Sequence, residues 1–242
     1  MQIITIIKRE LAGYYTTPVA YVFITIFLLL SGLFTFYLGN FLEVGQANLG
    51  SFFEWHPWLF LLLIPAITMR LWAEEKKTGT IELLTTLPIS TLQIVMGKFL
   101  ASWIFTINAL MLTFPLWITV NYLGNPDNGV ILASYIGSVL MAGSYTAIGL
   151  FISALTRNQV ISFIISITVC FLFTLSGLPL VLDFFHFWAG EALTDTIASF
   201  SFLSNFTDIT KGIIDVRCLL YFISLISLFL YFNVIVLQHS GD

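Results

Sequence analysis

Six stretches of about twenty residues each, nearly free of charge, run through this chain near residues 19–38, 52–71, 99–120, 131–153, 160–182 and 218–237. A hydrocarbon core about 30 Å thick is crossed by roughly 20 residues of helix. Inside it every backbone N–H and C=O must find its partner within the helix or within a closed barrel. Barrel strands alternate polar and apolar side chains, and these runs do not. The fold class expected is therefore an all-α integral membrane protein with six transmembrane helices in a single domain, residues 1–242. Of the 242 residues 58% are hydrophobic and 9% charged, far from the roughly 25% charge of an ordinary soluble domain. Pro57 and Pro65 interrupt the second run and Glu54 stands at its outer end. The first run is too long for a signal-peptide core and lacks a small-x-small cleavage pattern, so it is read as retained.

Orientation follows from the cations. Lys8, Arg9, Arg70, Lys76, Lys77, Lys98 and Arg157 fall on one side of this topology, leaving only Lys211 and Arg217 on the other. By the positive-inside rule both termini and the stretch from Ala73 to Ser90 are cytoplasmic. Ile3, Ile4, Ile7 and Leu11 share one face of an N-terminal helix with Lys8 and Arg9 beside it, a pattern suited to the inner interface. The aromatic-rich segment from Asp183 to Arg217 is too long for a structureless loop. One or two short helices are expected there, dipping back toward the membrane from outside.

The chemistry such a chain can carry is narrow. No Asp, Glu, Lys, Arg or His lies in the core of a run. Intramembrane ionisable groups usually mark proton relays and ion paths, so a proton-driven carrier is disfavoured. No GxxxxGK[ST] phosphate loop is present, which removes nucleotide hydrolysis by this chain. Glu54, His56, Asp183 and His186 could share the outer face, but their spacing is not that of a metal set. Cys170 and Cys218 sit in or at the edge of runs and form no disulfide framework. No catalytic, cofactor or metal residues are assigned. Ser162, Ser166, Cys170 and Thr174 recur every four residues along the fifth run, and Ala133, Gly137, Ser138, Ala142, Gly143 and Ala147 pair likewise along the fourth. Small-xxx-small faces let membrane helices approach closely. The fifth-run stripe is either ordinary packing or part of a subunit seam or transport path.

"AEEKKTGTIELLTTLPIS", Ala73 to Ser90, is the long polar interruption of the first half. Glu74 to Lys77 carry the second run into water, Thr78-Gly79-Thr80 breaks it, and Ile81, Leu83, Leu84 and Leu87 make an apolar ridge stopped by Pro88. Physically this is a short amphipathic helix, free either to rest on lipid or to meet a partner.

The same residues resemble a known signature. Glu75-x-x-x-Gly79-Thr80-x-Glu82-x-Leu84, Leu87-Pro88-Ile89-Ser90 and Gly97-Lys98 are similar to type-2 ATP-binding-cassette permeases, the membrane subunits of ABC transporters. Glu10, Pro18-Val19-Ala20-Tyr21, Lys211-Gly212-Ile213-Ile214-Asp215 and Leu220-Tyr221-Phe222 match the same family, closest to its gliding-motility-type and copper-site-maturation-type branch. The resemblance implies an exporter in a bacterial inner (cytoplasmic) membrane. It implies two copies of a separate ATPase that bind ATP and Mg, and a second permease copy or sister permease; nucleic acid is not a partner. It also implies that residues 78–87 form a coupling helix, with Glu75, Gly79, Thr80, Ile81, Glu82, Leu83, Leu84 and Pro88 as its working residues. A membrane anchor or assembly subunit without an ATP cycle is the alternative; an adjacent reading frame with a phosphate loop separates the two.

Overall fold

The computed structural model describes residues 2–43, 45–85, 89–213 and 215–239. Within them the regular secondary structure is all helical, with no strand. Five continuous or gently broken helices are long and apolar enough to cross a membrane: Pro18–Leu38, His56–Thr78, Thr91–Leu123, Asn128–Leu155 and Val216–His239. A bent pair, Gln159–Leu175 with Pro179–His186, makes a sixth if counted as one span.

The breaks have local causes. α1 (Gln2–Tyr15) leads into α2 (Pro18–Leu33), where Pro18 opens the helix at a position whose N–H would be unpaired anyway. α2 ends in a π-helical turn, Phe34–Leu38. The second run is not one helix. Short α3 (Gly50–Glu54) precedes α4 (His56–Thr68), a turn follows, and then come α5 (Ala73–Thr78) and α6 (Thr80–Thr85). Gly79 separates the last two at φ +74°, with no neighbour within 4 Å of a would-be Cβ. It ends α5 in the left-handed conformation glycine adopts without strain.

α7 (Thr91–Met111) begins eight residues before the apolar run expected at 99, because Ser90 and Gln93 form a reciprocal capping box that satisfies two of its free N–H groups. It stops short of Pro115, which cannot donate to the carbonyl four residues back, and α8 (Phe114–Leu123) continues the span. The fifth run, expected straight over 160–182, is bent: α10 (Gln159–Leu175) and α11 (Pro179–Ala189) meet at 68°. Pro179 drives Leu178 to extended φ −70°, ψ 136°, as residues before proline prefer.

α9 (Asn128–Leu155) is the pillar of the fold, packed by α4, α7, α10, α13 (Phe202–Thr210) and α14 (Val216–His239). Lipid tails are as apolar as leucine, so close van der Waals contact holds such helices together. The small residues of α9 supply it. A Cβ on Gly149 would collide with Thr68 Oγ1, one on Gly137 would lie 2.9 Å from Ile209, and one on Gly143 3.0 Å from Trp103. α12 (Glu191–Ser199) and α13 occupy the aromatic-rich segment. α13 is drawn into the bundle: Phe202, Phe206 and Ile209 are buried, and Phe202 stacks on Tyr145 at 4.6 Å.

α1 lies along α7. Its protein-facing stripe is Ile6, Glu10 and Tyr14, with Leu11 packed at its edge, while Ile4, on the face expected at the interface, is exposed. Ile6 abuts Gly97, and the Tyr14 and Ser102 hydroxyls are 2.9 Å apart. The two groups of cations fall at opposite ends of α9. Lys76 reaches the Ala154 carbonyl near its C-terminus, whereas Gly212, next to Lys211, abuts Val130 near its start.

Candidate functional site

The polar loop helix is rooted in a buried charged node. Lys98, about two turns past the capped start of α7, is 1% exposed. Its Nζ lies 2.7 Å from Glu75 Oε1 on α5 and 3.4 Å from Glu10 Oε1 on α1, and sits 5.0 Å above the Trp72 ring. One ammonium thus ties three helices. A buried charge is tolerable only when paired, and the two carboxylates, 16% and 20% exposed, are its partners. Burial alone would raise the Glu10 carboxyl, but the Lys98 ammonium and Arg9, 2.7 Å away, hold it below the ordinary range. Tyr14, closing the same face of α1, is pushed up to about 12 by burial. The Arg70 guanidinium lies over its ring at 5.2 Å.

A second anchor joins the turn between α4 and α5 to α9. Ser153 Oγ accepts from the Trp72 N–H at 3.0 Å and the Ala73 N–H at 3.1 Å, and donates to the Met69 carbonyl at 2.9 Å. These are the backbone groups a helix break leaves unpaired. Lys76 adds its bond to Ala154. Four residues before Ser153, Gly149 lets Thr68 close on the pillar.

Beyond these anchors the loop reaches outward. Gly79, Thr80 and Glu82 are exposed, while Ile81 is half-buried and packs back on the core. Leu83 and Leu84 belong to α6 by their backbone; Leu87 and Pro88 lie outside the described residues. Glu75 therefore sits apart from the other loop residues singled out in the sequence, at the root rather than the tip.

Ser162, Ser166, Cys170 and Thr174 are fully buried on one face of α10, the helix that packs on α4 and α9. Thr174 Oγ1 is 2.7 Å from the Tyr145 hydroxyl, which donates to the Pro57 carbonyl at 3.2 Å, so α4, α9 and α10 meet there. The stripe is covered by this chain itself. Val160, Ile161, Ile164 and Leu172 form the exposed side of α10. His56 is also buried, ringed by Phe27, Phe52, Phe53 and Phe60. Among the described residues no three His, Cys, Asp or Glu side chains converge on a metal position.

Sequence reasoning missed the node because its members are 23 and 88 positions apart. All three members, Glu10, Glu75 and Lys98, stand among the residues that carry the family resemblance, but nothing in their spacing pairs them. Ser153 had no signal beyond being one small residue among many.

The apolar helices and their close packing define a multi-pass membrane protein. Residues 4–237 match the family described as ABC-2 family transporter protein, and the chain belongs to it: a membrane permease of the ABC transporters. No curated protein matches the chain.

Proposed function

We infer that this chain is the membrane subunit of an ATP-driven exporter whose ATPase is a separate polypeptide, and that α6 is where the ATPase engages it. One observation carries the reading. The exposed loop is stiffly mounted, its root fixed to α1 and α7 through Lys98 and to α9 through Ser153 and Lys76. A segment that merely rested on lipid would need no such mounting. Two ATPase copies, holding ATP and Mg, close beneath two permease chains in the inner membrane and push on this loop. The mounting passes the displacement to the pillar, and the spans switch between inward-open and outward-open arrangements as packed bodies. Hydrolysis resets them. The absence of charge along the span cores favours a hydrophobic, lipid-like or peptide cargo over small ions.

The test is docking at the tip. Leu84→Asp places a carboxylate in the contact and costs several kcal/mol of association if that contact is desolvated. The variant should insert normally, lose the ATPase on co-purification and abolish transport. Wild-type ATPase retention and transport by Leu84→Asp would dismiss α6 as the coupling element.

A further inference from the structure

Beside the node, between the end of α1 and the junction of α4 with α5, lies a cavity of about 290 Å³. Thr17, the residue before the first span, and Leu71, just past α4, both line it. Its depth is therefore that at which two spans leave the hydrocarbon. Five charged side chains face it: Glu10, Glu74, Glu75, Arg70 and Lys98.

They are unequally served. Lys98 is held by Glu75 and Glu10. The half-buried Arg70 guanidinium has the Tyr14 ring beneath it, and among the described residues no carboxylate pairs with it. A guanidinium is a rigid fork of donors matched to a phosphate. Of the carboxylates lining the cavity, Glu75 has its Oε2 buried with no hydrogen-bond donor, and Glu74 is exposed. An anion alone would add to an excess of carboxylates, and a cation alone would leave Arg70 unserved. A zwitterion with a phosphate and a protonated amine a few bonds apart answers both.

We propose that this cavity binds the headgroup of a phosphoethanolamine lipid, phosphate on Arg70 and ammonium beside the Glu74 and Glu75 carboxylates. The acyl chains leave past Thr17 toward Val19 and Val22, which are exposed on the first turns of α2. Such a lipid fills the angle between the interfacial helix and the loop root, and stiffens it. The site depends on the membrane placement of α2 and α4 and not on α6 meeting an ATPase.

The experiment is native mass spectrometry of the purified chain, titrated with ethanolamine, choline and glycerol phospholipids of identical acyl chains. The wild type should retain the ethanolamine lipid about tenfold more tightly than the choline lipid, whose quaternary ammonium donates no hydrogen bond; a charge-assisted bond is worth about that factor. Arg70→Gln should lower ethanolamine-lipid affinity about tenfold and Arg70→Lys by less, while Arg217→Gln, at the other end of the bundle, changes nothing. Glu74→Gln should narrow the preference for ethanolamine over choline. Equal retention by wild type and Arg70→Gln would overturn the site, as would tighter binding of the glycerol lipid. Full displacement by millimolar inorganic phosphate would assign the cavity to a free anion instead.

Discussion

Replacing Lys98 with methionine keeps the unbranched side chain and deletes only the ammonium. In the wild type that ammonium is 2.7 Å from one carboxylate and 3.4 Å from another, within a side chain only 2% exposed. Removing one member of a buried pair typically costs about 3–5 kcal/mol, because the remaining charge loses its partner. Here the carboxylates retain some access to water, 16% for Glu10 and 20% for Glu75, which places the loss near the lower end, about 3 kcal/mol. The measurement is reversible unfolding in mixed micelles, by titration of a denaturing detergent against far-UV circular dichroism. Adding Glu10→Gln and Glu75→Gln to Lys98→Met should restore most of the loss, since no charge is then stranded. The pH dependence has a definite sign. Glu10 is depressed in the folded wild type, so its contribution is present above the ordinary carboxylate value and fades as pH falls through the lower folded one. Without Lys98 that contribution disappears, and the gap between variant and wild type should narrow in acid. A loss below about 1 kcal/mol, the range of an exposed pair, or a triple variant no better than the single one, would refute the node as a structural tie.

Ser153→Ala strands the Trp72 and Ala73 N–H groups; at about 1–3 kcal/mol for a buried unsatisfied group, both amides should exchange with deuterium at least tenfold faster, with little change at the far end of α4. Gly149→Val should separate α4 from α9 and cost about 1–3 kcal/mol by overpacking, whereas Gly13→Ala, with nothing within 4 Å, should be neutral or slightly stabilising in the same unfolding assay. Since Cys170 and Cys218 are both buried, single cysteines at Asn125 or Thr194 should react with an impermeant maleimide from outside, and one at Lys77 only after permeabilisation; the reverse pattern would invert the orientation.

The apolar runs carried most of the fold in plain view, because one-dimensional hydrophobicity is what a bilayer reads. Where they bend was less visible, although Gly177 with Pro179, and Pro115, are local signals once helices are traced through them. The Ser90–Gln93 capping box was equally legible, and it moves the start of α7 far enough to place Lys98 inside a helix. Periodicity correctly put Ser162, Ser166, Cys170 and Thr174 on one face, but it cannot say what covers that face. On α1 the apolar pattern of Ile3, Ile4, Ile7 and Leu11 spoke only to the membrane interface, and the stripe against α7 contains Glu10, chosen by a lysine far along the chain. Pairings of that kind arise from tertiary packing and leave no mark on local composition.

The central position of α9 bears on how the chain is made. Its small and hydroxylated residues form a surface that suits other helices better than lipid, and much of that surface is covered by α14, which is synthesised well after it. At about 5–20 residues per second, α9 waits on the order of ten seconds for that cover. Over that interval Ser144, whose hydroxyl meets both the Leu140 carbonyl one turn back and the Phe222 carbonyl of α14 in the finished fold, has only the first of these partners. A nascent chain truncated before Val216 should accordingly remain with the insertion machinery instead of passing into the bilayer.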